Sequence, residues 1–282
     1  MKNPTKAQLN SFNEWFLKIR SELNLLIEPE KDWSSKECEN GWTKLFNEAK
    51  ANYSNGIESG AVNLAYFHSL YLDLNYLQKN SEDKFKYYRS ILASKKSLDS
   101  SYLTSMRFEV SIACQLVKNN FEFSVPDPPD FLLKDTNIAM ECYAPRVISE
   151  TDIYKKTIKS LQNKENKYHY KEWFKEKINI LIIDATWLIR SNDDKISSNN
   201  TSLPNDFTWA LNEFGKKSNY DLTIAYIFGN TINYETDARV TSCIYTPYNI
   251  SNLELKSFCD SFLADFKQKN VQVRLPDILN PP

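Results

Sequence analysis

Apolar residues recur at three- and four-residue steps through the first third of the chain, which is the spacing of one helix face. The first such stripe is Leu9, Phe12, Trp15, Phe16, Ile19, Leu23 and Leu26. Similar patterns cover residues 42–49 and 61–77, with a break at Ser54-Asn55-Gly56, and a fourth begins at Ser81. The pattern predicts a helical bundle domain over residues 1–97, whose aromatic residues form a core rather than a base-stacking surface.

After about residue 98, predicted helices alternate with short apolar strands. The helices are expected at 99–119, 151–176, 207–214 and 253–266, and the strands at 121–125, 131–133, 138–144, 178–184, 222–228 and 239–245. Residues 178–183 are almost continuously apolar, as expected for a strand that is covered on both faces. Residues 193–206 are polar and predict a loop. This order predicts a second domain, 98–282, of the α/β (α+β) class.

Three acidic residues stand where burial is expected. Glu109 shares a predicted helix stripe with Met106 and Ala113. A carboxylate there is costly unless it is paired or binds a cation. For Glu109 taken alone, a salt bridge or a place at the edge of the stripe is the favoured explanation.

Asp130 and Glu141 belong to a predicted hairpin, Asp130 at the start of its first strand and Glu141 within its second strand. Asp130 follows Pro128 and Pro129, which stiffen the backbone and hold the acid in one orientation. Glu141 lies in the middle of an apolar strand, where an unpaired charge is expensive. Either a cation shared with Asp130 or a buried ion pair with an arginine or lysine would stabilise it.

The series Glu109, Pro129-Asp130 and Glu141 resembles the PD-(D/E)XK nuclease superfamily over roughly residues 99–190. The resemblance implies a restriction-endonuclease-like mixed sheet flanked by helices. It also implies a Mg²⁺ or Mn²⁺ ion held by Asp130, Glu141 and the backbone carbonyl of Cys142, with Glu109 in support. Such a metal activates water for phosphodiester hydrolysis of nucleic acid, with DNA as the expected substrate. By fold-level analogy, prokaryotic defence is the expected setting.

The chain departs from this superfamily at one position. Tyr143 stands two residues after Glu141, where the family places a lysine that stabilises developing negative charge. Members of the family relocate this lysine, so the candidates for the cationic role are Arg146, just beyond the strand, and Lys155, Lys156 or Lys159 from the next helix. For Arg146, a place on the protein surface is the favoured explanation.

The helix after the hairpin is rich in lysine. Between residues 155 and 177 there are eight lysines and three glutamates, a surplus of five. Together with Tyr168, Tyr170, Trp173 and Phe174, these lysines suit a sequence-independent contact with a phosphate backbone. A solvated helix face with inward-packed aromatic residues is the alternative. Asp184, at the end of the buried strand, fits either a ligand site or a helix cap.

Composition narrows the functional classes. The net charge is −1 and the pI is about 6.2, so no general surplus of positive charge indicates nucleic-acid binding. Five cysteines without a CxxC pair, together with only two histidines, disfavour a zinc site, and five glycines disfavour a glycine-rich nucleotide cradle. No apolar leader or membrane span is expected, and the cytoplasm is the expected compartment.

Two other interpretations remain open. One is a catalytically inactive nuclease-fold protein that binds nucleic acid or a protein partner. The other is an interaction adaptor, or a homodimer, assembled through the N-terminal helices, with the acidic residues playing a structural part only.

Overall fold

The computed structural model describes residues 6–35, 38, 40–55, 57–94, 100–144, 153–184, 214–215, 217–228, 241–245 and 251–264. The chain forms two compact units that divide between Val117 and Lys118. The division expected from the change of sequence pattern, at residues 97/98, lies one helix earlier.

The first unit is helical. Its helices are α1 (Lys6–Ile27), α2 (Gly41–Asn55), α3 (Ile57–Asn80), α4 (Glu82–Ala93) and α5 (Ser100–Lys118), the last of which crosses the division in its final turn. Helices α1 to α3 pack on one another, and α4 packs on α1 and α3. The predicted aromatic core is present: the ring of Phe46 lies 5.3 Å from that of Phe16 and 4.2 Å from that of Phe67. These aromatic residues are therefore buried structural residues.

The second unit contains a mixed sheet. Its described strands are β1 (Phe123–Ser124), β2 (Phe131–Leu133), β3 (Ile138–Tyr143), β4 (Ile178–Asp184), β5 (Leu222–Phe228) and β6 (Thr241–Tyr245). They lie side by side in chain order. Pairing is antiparallel from β1 to β3, parallel from β3 to β5, and antiparallel between β5 and β6. The α/β class expected for this part of the chain is confirmed.

Three described helices accompany the sheet: α6 (Ile153–Tyr168), α7 (Glu172–Glu176) and α8 (Leu253–Phe262). The single helix expected over 151–176 is therefore wrong, because the chain turns between α6 and α7. On a continuous helix Phe174 would lie about 140° around the axis from Leu161. With the turn, both residues enter one buried cluster. Most of the helix expected at 207–214 lies outside the described residues.

Strand register assigns side chains to the two faces of the sheet. Glu141 lies beside Leu181, and Tyr143 beside Ile183. Because side chains alternate along a strand, these four residues share one face. Leu181 and Ile183 pack with residues of α6 and α7, and Tyr143 packs against the same cluster. Helices α6 and α7 therefore cover the face that carries Glu141.

Candidate metal centre

Asp130 lies at the entrance to β2, directly after the Pro128-Pro129 turn. Its side chain is half-buried, and its Oδ2 accepts a hydrogen bond of 2.6 Å from the backbone N–H of Cys142 on the neighbouring strand β3. Burial raises the pKa of Asp130 above its ordinary value of 3.8, although the nearby charge of Lys164 opposes this rise. The hydrogen bond holds the carboxylate against the strand that carries Glu141.

Glu141 is buried in the middle of β3, with 2% of its surface exposed. Its Oε2 lies 2.8 Å from Nζ of Lys164. Burial raises the pKa of Glu141 to about 7; the charge of Lys164 lowers this pKa, and the charge of Asp130 raises it. The other oxygen, Oε1, is buried with no hydrogen-bond partner among the described residues. One side of this carboxylate is therefore paired and the other is available.

Lys164 completes this acidic pair from helix α6. Its ammonium donates to the backbone carbonyl of Cys142 at 2.5 Å as well as pairing with Glu141, and it lies 5.7 Å from the centre of the Tyr143 ring. Burial alone would lower the pKa of Lys164, but the charges of Glu141 and Asp130 raise it above its ordinary value of 10.5. The lysine is therefore held as an ammonium ion.

The amphipathic pattern of α6 explains why Lys164 points inward. Leu161 and Glu165 are buried, and Ile158 and Tyr168 are half-buried, so the inward face follows a three- and four-residue spacing. Lys164 falls on that face. Glu165, on the same inward face, helps to hold α6 in this orientation, because its Oε1 accepts a hydrogen bond of 2.7 Å from the backbone N–H of Asn219.

Tyr143 occupies the position at which a lysine was expected by resemblance. Its hydroxyl forms a hydrogen bond with Oγ of Ser160 on α6. Tyr143 thus connects the end of β3 to α6, the helix that carries Lys164. The ammonium of Lys164 lies over the ring of Tyr143, the residue found where the superfamily has its lysine.

The structure brings together some of the residues expected at the site. Asp130, Glu141 and the carbonyl of Cys142 lie close together, through the contacts of Asp130 with Cys142 and of Lys164 with both other groups. Glu109 is half-buried in the first unit, on α5. Asp184 is buried on the sheet face that carries Tyr226, opposite to the face of Glu141.

The positively charged residues that were expected at the site either lie outside the described residues or point away from the site. Arg146 and the side chains of Lys155 and Lys156 lie outside the described residues. Lys159 is exposed on the outward face of α6, so it does not reach into the site. Sequence reasoning missed Lys164, which was counted only as one of eight lysines. Its position three residues after Leu161, on the apolar stripe, was the signal that could have identified it.

The donor set at this site is suited to a hard divalent ion. Mg²⁺ binds through one or two carboxylates and keeps several of its waters, so Asp130, Glu141 and the carbonyl of Cys142 would be an adequate set of protein ligands. The unpaired Oε1 of Glu141 is compatible with this role. Within the described part of the chain, no group of three or more histidine, cysteine, aspartate or glutamate side chains is arranged to hold a metal.

The lysine-rich segment, which forms α6 and α7, has an exposed face and a buried face. Lys159, Lys167, Lys171 and Lys175 are exposed, whereas Phe174 is buried. Tyr168 and Trp173 are half-buried and pack on the core cluster, so most of the aromatic residues face inward. The exception is Tyr170, which is 56% exposed, with Nζ of Lys171 lying 5.4 Å from its ring centre.

Comparisons with known proteins gave no relative for this chain. No protein-family model, curated protein or solved structure matches it. None of the helices in the described ranges combines the length and the apolar character needed to cross a membrane.

Proposed function

We propose that the second unit is a Mg²⁺- or Mn²⁺-dependent nuclease that hydrolyses phosphodiester bonds of nucleic acid, with DNA as the expected substrate. The observation that carries this proposal is the cluster formed by the buried Glu141 with the half-buried Asp130 and Lys164. Two acids and an ammonium ion are the chemical groups that the superfamily resemblance requires. Here the ammonium comes from α6 and lies over Tyr143.

Each residue has a distinct part in the proposed reaction. Asp130 and Glu141, with the carbonyl of Cys142, would hold the metal, which would supply activation of water and neutralisation of charge on the phosphate. Lys164 provides the positive charge that the family draws from its strand lysine, and this charge stabilises the developing negative charge on the reacting phosphate. Tyr143 positions α6 through its hydrogen bond with Ser160.

The order of elements supports the same proposal. Helix α5, the antiparallel strands β1 to β3, helix α6 and the parallel strand β4 follow one another as the resemblance implies. Asp130 immediately precedes β2, Glu141 lies on the adjacent antiparallel strand β3, and Lys164 lies on the helix that follows them. The relocation of a lysine to that helix is compatible with the departure at Tyr143.

The outward face of α6 supports an interaction with a phosphate backbone. Glu165 is buried and bonded to Asn219, so it does not offset the exposed Lys159 and Lys167 on this helix. Lys164 and Glu165 both point inward, so removing these two residues from the count leaves the lysine surplus of residues 155–177 unchanged. Attraction of this kind is independent of base sequence and weakens with salt.

A cleavage assay tests the proposed activity. Single- and double-stranded DNA and RNA are incubated with the full chain and Mg²⁺ or Mn²⁺. We expect cleavage that falls by about 100-fold or more in Asp130→Asn and in Glu141→Gln, because each change removes a charged metal ligand. Glu122→Gln is the matched control, since Glu122 is an exposed acid in an ion pair with Lys134. Equal loss in all three variants, or equal activity in all three, would contradict the assignment.

A second candidate function has one specific observation in its favour. Tyr143 replaces the strand lysine, and Lys164 is already hydrogen-bonded to Glu141 and Cys142. An inactive nuclease-fold protein that binds nucleic acid would show this arrangement without catalysis. It would retain DNA or RNA on a filter or column, with affinity falling steeply as salt rises, and would cleave neither with any metal.

A further inference from the structure

The ammonium group of Lys164 occupies the position between two of the ligands assigned to the metal. Its Nζ lies 2.8 Å from Oε2 of Glu141 and 2.5 Å from the carbonyl oxygen of Cys142. A divalent ion bound to this carbonyl oxygen and to either oxygen of the Glu141 carboxylate would lie within a few ångströms of the ammonium. Two cations at that separation repel each other strongly in a poorly hydrated site.

We propose that Lys164 is an internal cation that competes with the metal, so that the metal enters only when the ammonium leaves Glu141 and Cys142. This inference rests on the proposed function, because it concerns the same metal ligands. In the metal-free protein the ammonium of Lys164 occupies the metal site. Binding of the metal releases Lys164, which can then contact a phosphate.

Charge and burial favour the exchange of the Lys164 ammonium for a metal ion. With both acids ionised, Asp130 and Glu141 carry two negative charges, and Lys164 balances one of them. Buried carboxylates require such compensation, so the ammonium stabilises the site before any metal arrives. Nζ of Lys164 already lies 5.7 Å from the centre of the Tyr143 ring, and this cation–π contact continues to stabilise the ammonium when it leaves the acids.

Metal affinity provides the first test. Mn²⁺ binding to the full chain is measured by calorimetry for the wild type, Lys164→Met and Lys164→Arg. After correction for the proton that Mn²⁺ displaces from Glu141 in the variant, we expect Lys164→Met to bind Mn²⁺ about tenfold or more tightly than the wild type, because the competing ammonium is gone. Lys164→Arg retains a cation and should not bind more tightly. If Lys164→Met binds Mn²⁺ no more tightly than the wild type, the competition is refuted while the metal site stands.

A second measurement uses the wild-type protein and so does not depend on the folding of a variant. Amine-reactive labelling followed by mass spectrometry reports how accessible each lysine is. Adding Mg²⁺ should increase the labelling of Lys164 several-fold, whereas the exposed Lys159 and Lys256 serve as unchanged controls. Unchanged or reduced labelling of Lys164 under conditions where the metal binds would overturn the proposal. Absence of Mg²⁺ and Mn²⁺ binding to every form would instead remove the proposed metal site itself.

Discussion

Replacing Lys164 by methionine should destabilise the second unit by an amount that grows with pH. In the wild type the pKa of Glu141 is about 7, and the charge of Lys164 is the main influence that keeps it from rising further. In the variant, burial and the charge of Asp130 remain, and both raise this pKa. Above pH 7 the wild type therefore holds an ionised pair, whereas the variant holds a neutral Glu141.

The size of the effect follows from proton linkage. In the unfolded chain Glu141 has its ordinary pKa of 4.5 and is ionised at neutral pH. The folded variant therefore binds more protons than the unfolded variant, so its free energy of unfolding falls as pH rises. The wild type shares this loss only up to about pH 7. Beyond that point the difference between the two proteins should grow by about 1.4 kcal/mol per pH unit, reaching about 2 kcal/mol by pH 8.5.

Hydrogen exchange of the amides in β3 and β4, followed by mass spectrometry in increasing denaturant, measures this difference in the second unit alone. Measurements at pH 6, 7 and 8.5 give the slope after correction for the intrinsic exchange rate. The double variant Lys164→Met with Glu141→Gln is the matched control, since it has no carboxylate at residue 141 and should show no such slope. A difference that is the same at all three pH values, or a slope that persists in the double variant, would refute the reasoning.

Two further predictions concern the surroundings of the site. Tyr143→Phe removes the hydrogen bond to Ser160 and should lower the free energy of unfolding by about 0.5–1.5 kcal/mol in a denaturant titration. Ser160→Ala should cost a similar amount, and a double variant whose loss equals the sum of the two would show that the residues are not coupled. Replacing both Lys167 and Lys171 by glutamine should weaken DNA binding, measured by fluorescence anisotropy. It should also reduce the steepness of the plot of log affinity against log salt concentration by about two, because two fewer phosphate contacts release counterions. Lys256→Gln, an exposed helical lysine on α8, should leave the binding unchanged; an equal loss there would point to non-specific charge.

The local pattern determined much of the architecture. The stripe in α1 must be buried on one side, and residues 178–183 can be stable only when both faces are covered, so the helices and β4 were predictable from spacing alone. Glu141 was predictable in the same way, because a carboxylate in an apolar strand needs a counter-charge whatever the fold. The identity of that counter-charge was not, because ion pairs depend on contacts between distant parts of the chain.

Tertiary structure decided which cation serves the site. Eight lysines lie between residues 155 and 177, and they are chemically equivalent until α6 packs on the sheet. The turn before α7 and the bond of Glu165 to Asn219 set the rotation of α6, which turns Lys164 inward and leaves Lys159 exposed. A lysine of α6 comes close to Glu141 only when the helix packs on the sheet with the face that carries this lysine turned inward. The sequence therefore determined that Glu141 needs a partner, and packing alone selected Lys164 over Lys159.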